Sequence, residues 1–342
     1  MNQTMEDNNK QATSDASSHE DIIAKADAVH DELKKIRGSI GKVIFGQEQI
    51  VELALTAVLA GGHALLVGVP GLAKTRLVET LGRVLGLDEK RIQFTPDLMP
   101  SDIIGSEVME EGDDGRRNFR YIQGPIFAQL LMADEINRAS PRTQSALLQA
   151  MQEYHVTVAG SRYDLPRPFH VLATQNPLEQ EGTYPLPEAQ LDRFLMQINI
   201  HYPDLDTERR ILVETTGIND TKAEAVITSH RLIEMQKIIR QMPVSEQVID
   251  AILKLVRSAR PDSDNAIAQK YISWGPGPRA AQALSLCVRA RALYQGRLAP
   301  SIEDVYALAE PVLQHRMALN FTARAENIPV SRIIADLVKA QS

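Results

Sequence analysis

The residues from 68 to 75 have the types and the spacing that a triphosphate-binding loop requires. In order, they are Gly68, Val69, Pro70, Gly71, Leu72, Ala73, Lys74 and Thr75. Glycines let backbone N–H groups approach an anion closely, the ammonium of Lys74 can reach the outer phosphates, and the hydroxyl of Thr75 can bind Mg2+. We therefore predict that this loop binds a triphosphate.

One position of the loop departs from the usual pattern, which has a glycine directly before the lysine. The residue at that position is Ala73. A methyl group is tolerated there if the backbone is helical at this residue, so we interpret the loop as a variant of the motif. The alternative is an ordinary strand, turn and helix with a solvated Lys74.

Two adjacent carboxylates, Asp134 and Glu135, follow an apolar segment later in the chain. In a nucleotide site, Asp134 would hold Mg2+ through its water shell, and Glu135 would orient and polarise the attacking water. A further apolar segment ends at Asn176, which could share that water or the terminal phosphate with Glu135. The alternative for Asn176 is a turn residue before Pro177.

Buried strands must position these side chains. The apolar segments 65–67, 129–133 and 169–173 predict such strands, and the segment 75–81 predicts a helix whose positive end points at the phosphates. A strand that presents acids at its carboxyl end is typical of a nucleotide-binding sheet. The pattern therefore predicts an α/β domain.

Two hairpins and two further helices accompany these strands in the prediction. The segments 107–123 and 156–164 have strand character around turn residues. The first of them has an acidic, glycine-containing centre at 110–115, for which a surface loop is the alternative. Amphipathic spacing predicts a helix from residue 21 to 36, and a second helix is expected from about residue 47 to 60.

Beyond residue 203 the sequence becomes helical and charged, which predicts a second, all-helical domain. Ser245 is expected to cap one of its helices, and Ser301 with Asp304 to cap another. Pro311 is expected to interrupt the next helix, and Ser331 to begin the last one.

The composition is that of a globular protein without a basic surface. The chain has 342 residues, 44% of them hydrophobic, and a formal net charge of −7, which argues against a broad electrostatic grip on nucleic acid. No apolar run reaches the roughly 18–20 residues that a membrane span needs. Residues 1–20 are polar, are expected to be disordered, and show no export signal. A single cysteine, Cys287, is expected to be a small buried side chain and fits the reducing cytoplasm.

The chain resembles MoxR-type AAA+ ATPases, a helix-2-insert group related to the ATPase subunits of magnesium chelatase. The resemblance is carried by the phosphate loop and by four further segments, which are residues 134–139, 173–177, 187–194 and 275–280. It implies an AAA+ P-loop core, with a parallel sheet flanked by helices and β-hairpin inserts, followed by a small all-α lid. The implied division is a disordered tail at 1–20, a nucleotide-binding domain at 21–203 and a lid at 204–342.

The resemblance also implies roles for individual residues. Asn176 would be sensor 1, and Arg193 would be an arginine finger that acts in the site of a neighbouring subunit. Arg279 would be the sensor 2 arginine, which touches the nucleotide of its own subunit or of its neighbour. The alternatives are structural: an ion pair of Arg193 with Asp192, and a helix start for Arg279. The residues implied to cradle the adenine are Phe45, Gly46 and Gln47.

The implied activity is the hydrolysis of ATP with Mg2+ by a homo-oligomeric ring, a hexamer, that remodels or matures protein complexes. Relatives of this kind often work with a partner that has a von Willebrand factor A domain, and such partners bind metal, which suggests metalloenzyme assembly. Two alternatives remain at this stage: a nucleic-acid motor, which the acidic charge disfavours, and an ATP-gated scaffold. The sequence does not name the client protein.

Overall fold

The computed structural model describes residues 27–111, 117–179, 182–216 and 222–341. The predicted polar tail at 1–20 lies outside these residues, as does the start of the helix that was predicted from residue 21. The strands are β1 (Ala64–Val67), β2 (Glu89–Gln93), β3 (Gly105–Glu111), β4 (Arg117–Gln123), β5 (Leu130–Asp134), β6 (His155–Val158), β7 (Ser161–Asp164), β8 (His170–Gln175), β9 (Met196–Asn199), β10 (Ile272–Trp274) and β11 (Ala318–Leu319).

Helices surround these strands and form most of the second half of the chain. They are α1 (residues 27–41), α2 (Glu48–Leu59), α3 (Lys74–Val84), α4 (Pro100–Ile104), α5 (Pro141–Glu153), α6 (Glu188–Leu191), α7 (Leu205–Thr215), α8 (Ser229–Gln241), α9 (Glu246–Ser258), α10 (Ala266–Tyr271), α11 (Pro278–Tyr294), α12 (Ile302–Ala307), α13 (Ala309–Leu313), α14 (Phe321–Ala325) and α15 (Val330–Lys339). Two short 3-10 helices span Ile136–Arg138 and Gln314–Arg316.

The central sheet is parallel, and within the described residues it has five strands in the order β2-β5-β8-β1-β9. The predicted α/β fold is therefore confirmed. Because all five strands run the same way, their carboxyl ends lie at one edge. The register pairs Gln93 with Asp134 there, and Val67 with both Gln175 and Asn199. This edge collects the loops that carry the predicted chemistry.

Alternation along each strand divides the buried side chains between the two faces of the sheet. In β5, Leu130 and Met132 belong to one buried apolar cluster, and Leu131 and Ala133 belong to the other. The first cluster continues through α1 and α2 into the lid helices, so the sheet and the lid share a core. The lid is consequently packed against the strands that carry the site.

Both predicted hairpins are present as antiparallel pairs, β3 with β4 and β6 with β7. The rings of Tyr121 and Tyr163 stack with their centroids 4.1 Å apart, which joins the two hairpins. Met109 and Phe119 project from the first hairpin and are exposed. Residues 112–116, which include most of the predicted acidic centre, lie outside the described residues.

The lid is helical, as predicted, and also contains the short antiparallel pair β10–β11, which the sequence did not predict. The Ser245 hydroxyl accepts from the Val248 N–H at 3.4 Å, and Asp304 accepts from the Ser301 N–H at 2.8 Å, so these predicted caps are confirmed. The prediction for Pro311 was wrong. The helix breaks earlier, at Leu308, and Pro311 lies inside the first turn of α13, where proline is tolerated.

The last helix begins one residue earlier than predicted, because Pro329 rather than a serine occupies the capping position before Val330. Cys287 is buried, as expected, and burial raises the pKa of its thiol to about 12. Among the described residues, no helix combines the length and the apolar character that crossing a membrane requires.

Candidate active site

The phosphate loop connects the carboxyl end of β1 to the first residue of α3, which is Lys74. The loop is held to the sheet because the Gly68 N–H donates to the Gln175 carbonyl at 3.1 Å. Gly71 has a φ of 84°, a left-handed conformation that glycine adopts without steric cost. The N-terminus of α3 therefore points its unpaired N–H groups and positive dipole end into the loop, as an anion site requires.

The expectation of a helical backbone at Ala73 was wrong. Ala73 precedes α3 in a left-handed conformation, with φ 55° and ψ 23°. The chain needs this conformation to turn from the loop into the helix. An L-residue with a Cβ pays about 1–2 kcal/mol for it, so the usual glycine at this position has a physical reason that the alanine does not satisfy.

Lys74 lies over the loop that precedes it. Its Nζ donates to the Gly68 carbonyl at 2.5 Å and to the Val69 carbonyl at 3.3 Å. Burial lowers the pKa of Lys74, and the negative charges of Asp134, Glu135 and other nearby acids oppose that change. Lys74 is partly buried and close enough to Asp134 and Glu135 for their charges to affect its pKa, so it is not a fully solvated surface lysine.

Asp134 ends β5, and Glu135 follows in a left-handed conformation with φ 55°. Thr174 on the neighbouring strand β8 connects them. Its hydroxyl donates to Asp134 Oδ1 at 2.5 Å and accepts from the backbone N–H of Glu135 at 2.9 Å. No role for Thr174 was predicted from the sequence. The available signal was its position two residues before Asn176, at the end of a strand that pairs with β5.

Two side chains of the edge strand β2 also hold the acids, and neither was predicted. Arg91 Nη2 donates to Asp134 Oδ2 at 2.5 Å, and Gln93 Nε2 donates to Glu135 Oε2 at 2.7 Å. Arg138 donates to the same Glu135 oxygen at 2.9 Å. These contacts hold both carboxylates at the carboxyl edge of the sheet. Arg91 and Gln93 are two residues apart and therefore lie on one face of β2.

Asn176 is 5% exposed, and its Oδ1 accepts from the Leu178 N–H at 3.1 Å. This contact is the turn geometry that was the alternative reading of the residue. Its side-chain oxygen is therefore engaged locally, and the Nδ2 group is the part of the side chain that can donate to an anion at the sheet edge.

A groove runs from the phosphate loop to the lid. A cavity of about 410 Å3 is lined by Gly68 and Val69, and it shares Asn199, His201 and Tyr202 with a second cavity of about 860 Å3. The larger cavity lies between the start of α2, the end of β9 and the lid helices α12, α13 and α15. Its size and position suit the base and ribose of a nucleotide whose phosphates occupy the loop.

The three residues that were expected to hold adenine divide into two groups. Gly46 and Gln47 line the larger cavity, and the buried Gln47 Oε1 has no hydrogen-bond partner among the described residues. Phe45 does not line it: the guanidinium of Arg210 on α7 lies 4.7 Å from the centre of its ring. A side chain at position 46 would collide with Thr207 of the same helix, so the glycine permits close packing of α7.

Arg193 and Arg279 line a different cavity, of about 270 Å3, together with Asp192, His63 and the lid residue Arg316. None of the residues 68–75, and neither of the two acids, lines it. We call this surface the arginine edge. We call the surface formed by the phosphate loop, Asp134, Glu135 and Asn176 the phosphate edge.

The ion pair of Arg193 with Asp192, proposed as an alternative, is not formed. Asp192 Oδ1 instead accepts from Arg316 Nε at 2.7 Å, and its Oδ2 lies 3.8 Å from Arg279 Nη1. Arg193 Nη1 donates to the Leu148 carbonyl at 2.6 Å. Arg279 is the second residue of α11, as the alternative for it stated, and half of its side chain is exposed.

The donor set at the phosphate edge fits both expected ligands. A hydroxyl at Thr75 and a carboxylate at Asp134 are hard oxygen donors of the kind that Mg2+ takes, and Lys74 supplies a cation for phosphate. The structure combines a parallel sheet with a helical lid. The sheet carries a glycine-containing loop with a Lys-Thr pair after β1 and an Asp-Glu pair at the end of β5. This combination defines a P-loop ATPase of the AAA+ class.

Comparison with known proteins supports that class. The family described as ATPase family associated with various cellular activities (AAA) matches residues 63–196, and an AAA lid domain matches residues 264–337. A crystal structure of a protein described as an ATPase from Cytophaga hutchinsonii superposes with a TM-score of 0.86 at 38% identity, covering 95% of this chain and 98% of that one.

Two curated relatives extend over most of the chain. Chaperone MoxR1 of Mycobacterium tuberculosis is 41% identical over 86% of this chain and 78% of its own length. Protein YeaC of Bacillus subtilis, which is described as uncharacterized, is 39% identical over 93% of this chain and 97% of its own length. The chain belongs to the MoxR family of AAA+ ATPases, and its reaction is the hydrolysis of ATP.

Proposed function

We propose that this protein is a chaperone-like ATPase whose hydrolytic site is shared between two subunits of a homo-oligomeric ring. The observation that carries the proposal is the separation of the arginine edge from the phosphate edge within one chain. A transition state for phosphoryl transfer needs cations around the terminal phosphate, and an arginine finger commonly supplies one. A neighbouring copy of the chain can bring Arg193 to the phosphate edge.

At the phosphate edge, Lys74 would bind the outer phosphates, and Thr75 and Asp134 would hold Mg2+. When bound, Mg2+ neutralises the charge of the phosphate oxygens. Glu135 accepts a proton from the attacking water and orients it, and Gln93 and Arg138 keep its carboxylate in place.

At the same edge, Asn176 donates its Nδ2 to the terminal phosphate or to the attacking water, which is the sensor 1 role. The base lies in the larger cavity beside Gly46 and Gln47, while Phe45 supports that loop from behind through its contact with α7.

From the arginine edge, Arg193 acts as a finger in the neighbouring site. We assign Arg279 to the same neighbouring site, because it lines the same cavity as Arg193 and lies 3.8 Å from Asp192, the residue that precedes Arg193. Because both arginines lie on one surface of the chain and the phosphate loop lies on another, the contact between neighbours is head-to-tail, and such contacts can close into rings. The expected ring is a hexamer.

The client side of the function rests on the name of a relative and on family resemblance. Chaperone MoxR1 supports a role in remodelling protein complexes. We extend this role to maturation of a metal-containing complex together with a partner that has a von Willebrand factor A domain. The lone buried Cys287 accords with work in the cytoplasm.

The test is steady-state ATPase activity against protein concentration for the wild type, Glu135→Gln and Arg193→Ala. Activity per subunit should rise with concentration as rings assemble. Each variant should lose roughly 100-fold or more of kcat, because one removes the proton acceptor and the other a transition-state cation. An equimolar mixture should recover part of the activity, since a Glu135→Gln subunit still offers its Arg193 to a neighbour with an intact site.

Arg289→Lys is a matched control, because this lid arginine bonds the Met242 carbonyl and Ser285 inside the lid and touches neither edge. It should retain wild-type turnover. ATPase activity per subunit that does not change with protein concentration, or a mixture of the two variants that recovers no activity, would contradict the shared site. Normal turnover of Glu135→Gln would contradict the assignment of the water-activating carboxylate, and ATP binding without any turnover in the wild type would indicate a scaffold.

A further inference from the structure

The 3-10 helix Gln314–Arg316 of the lid lies between the two edges. Its first residue lines the larger nucleotide cavity, and its last residue lines the cavity of the arginine edge. All three of its side chains bond to the segment 192–199, which contains Arg193 and strand β9. The helix therefore runs alongside the chain segment that leads from the nucleotide groove to the finger.

Arg316 bonds to the residues immediately before and after Arg193. It is 2% exposed, its Nε donates to Asp192 Oδ1 at 2.7 Å, and its Nη2 donates to the Phe194 carbonyl at 2.6 Å. Its Nη1 donates to the Leu195 carbonyl at 3.1 Å. The planar guanidinium presents its donors in a fixed geometry, so it fixes the backbone immediately before and after Arg193 in one orientation.

His315 strengthens the same attachment. Its Nε2 lies 3.1 Å from the Phe194 carbonyl, which Arg316 also bonds. Burial lowers the pKa of His315 well below its ordinary value, so the ring is neutral at working pH and its Nε2–H donates to that carbonyl. The turn that carries the finger is thus bound to the lid from two consecutive residues.

Gln314 makes the connection to the nucleotide groove. Its Nε2 donates to the Gln197 carbonyl at 2.9 Å, and its Oε1 accepts from Asn199 Nδ2 at 2.8 Å. Asn199 lines both cavities of the groove, including the one that Gly68 and Val69 border. A ligand that fills the groove contacts the surface that Asn199 and Gln314 form.

We propose that Arg316 is a positioning residue for Arg193, and that Gln314–Arg316 couples the occupancy of a subunit's own nucleotide groove to the arginine that it gives to its neighbour. This inference rests on the shared site proposed above. The side chain of Arg193 is long and rotatable, and among the described residues its one side-chain hydrogen bond is to the Leu148 carbonyl. The direction of the guanidinium therefore depends on how the backbone of Arg193 is held. Arg316 provides that hold from the lid.

The experiment is subunit mixing with Arg316→Lys, which keeps the charge but cannot reproduce the fork of bonds. Alone, Arg316→Lys should lose roughly 10- to 100-fold of kcat with the KM for ATP unchanged, because a misplaced group loses transition-state contacts while the variant's own binding groove stays intact. Mixed with Glu135→Gln, it should recover activity, since the latter supplies a well-positioned finger to the intact site.

The reciprocal mixture separates a positioning role from a merely structural one. The double variant Glu135→Gln/Arg316→Lys should fail to rescue Arg193→Ala, although Glu135→Gln alone rescues it. If Arg316 only supported the lid of its own site, the pattern would be reversed: the single variant would not be rescued, and the double variant would rescue as well as Glu135→Gln. That reversal would overturn the inference.

Two controls keep the outcome interpretable. Arg289→Lys, in the same lid, should leave kcat and the mixing behaviour unchanged, and thermal unfolding with size determination should show that Arg316→Lys folds and assembles. Should Arg316→Lys fail to fold, Asp192→Asn tests the same contact from the other side and should give the same mixing pattern. If Glu135→Gln does not rescue Arg193→Ala in the first place, the shared site fails, independently of Arg316.

The coupling has its own readout. Gln314→Met removes both polar bonds at similar length, and it should lower the Hill coefficient of ATP hydrolysis toward 1, whatever its effect on the affinity for ATP. A wild-type Hill coefficient above 1 that persists unchanged in Gln314→Met would overturn the coupling and leave only the positioning role of Arg316.

Discussion

The phosphate edge and the arginine edge are formed by different kinds of structural element. At the phosphate edge, the reactive groups follow the ends of adjacent parallel strands, and each acid is held by side chains of the neighbouring strands, such as Thr174 and Gln93. At the arginine edge, the groups come from a turn before β9, from the first turn of α11 and from a 3-10 helix of the lid. One edge is formed by the sheet, and the other is formed jointly by the core and the lid.

This difference teaches how the two half-sites divide the work. Hydrogen bonds from neighbouring strands hold the acids of the phosphate edge, which suits binding and proton transfer. The arginine edge is held by contacts between the lid and the core, so its geometry depends on where the lid lies. Each of the following predictions tests whether the two edges differ in this way.

The largest effect is expected for Arg279→Ala. The change removes a cation from the arginine edge and should lower kcat by about 100- to 1,000-fold, the cost typical of losing one transition-state donor. An equimolar mixture with Glu135→Gln should recover activity if Arg279 serves the neighbour. If the mixture with Arg279→Ala recovers no activity while the mixture with Arg193→Ala does, Arg279 acts in the site of its own subunit. The lid would then contribute to the phosphate edge as well as to the arginine edge.

Acid should weaken the region around the arginine edge. His63, which lines that cavity, and His170 are buried, and burial lowers the pKa of His63 to about 3 and that of His170 to about 4. Each ring is neutral in the folded chain and takes up a proton in the unfolded chain below pH 6.5. Stability is therefore fully present above pH 6.5 and is lost as the pH falls toward 4.

By linkage, the two histidines together should cost about 3 kcal/mol of unfolding free energy at pH 5.5 relative to pH 8. Urea unfolding at the two pH values measures the loss, and His230→Gln is the matched control, because His230 is exposed on α8 and should leave the pH dependence unchanged. Equal urea midpoints at both pH values would show that the buried histidines do not titrate as proposed.

At the phosphate edge, Lys74→Ala should weaken the binding of ATP by roughly 10- to 100-fold, which corresponds to the loss of one or two charge-assisted hydrogen bonds. Fluorescence titration with an ATP analogue measures the affinity. Arg193→Ala should leave the same affinity within about twofold, because ground-state binding belongs to the other edge. Equal losses for both variants would break the division between the edges.

The smallest effect is expected at the left-handed Ala73. Ala73→Gly relieves about 1–2 kcal/mol of backbone strain, and the greater freedom of glycine in the unfolded chain returns about 0.4–1 kcal/mol of it, so the variant should be more stable by about 0.5–1 kcal/mol. Gly71→Ala is the matched control: it also has a positive φ with open space around it, and it should lower stability. Urea unfolding compares the two, and a destabilised Ala73→Gly would contradict the strain.

Much of the phosphate edge could be predicted because its signals are local. The loop at 68–75 is a run of consecutive residues, and Asp134 and Glu135 directly follow a buried strand. The hydrophobic pattern and the residue types were therefore sufficient to predict both. The hairpins and several caps followed from turn and capping residues in the same way. The predicted interruption at Pro311 was wrong because proline was treated as a helix breaker, although it is tolerated in a first turn.

The contacts that hold the two edges could not be predicted in this way. Neither Arg91 nor Gln93 forms a recognisable motif, and their role depends on β2 lying beside β5, which only the strand order fixes. The ion pair of neighbours that was the alternative for Arg193, with Asp192, is not formed. Asp192 pairs instead with Arg316, 124 residues away, because the lid buries Arg316 against it. A buried guanidinium needs an acid and several carbonyls, and that need outweighs proximity along the chain.

The sequence by itself determined the chemistry at the phosphate edge: a lysine, a hydroxyl and two carboxylates at strand ends, with a helix that begins at the loop. Those features depend on residue type and short-range geometry, which the backbone imposes locally. Only the tertiary structure decided the left-handed turn at Ala73, the bonds that aim the acids, and the attachment of the Arg193 turn to Arg316. These depend on which distant segments share a buried surface, where polar groups must find partners because water is excluded.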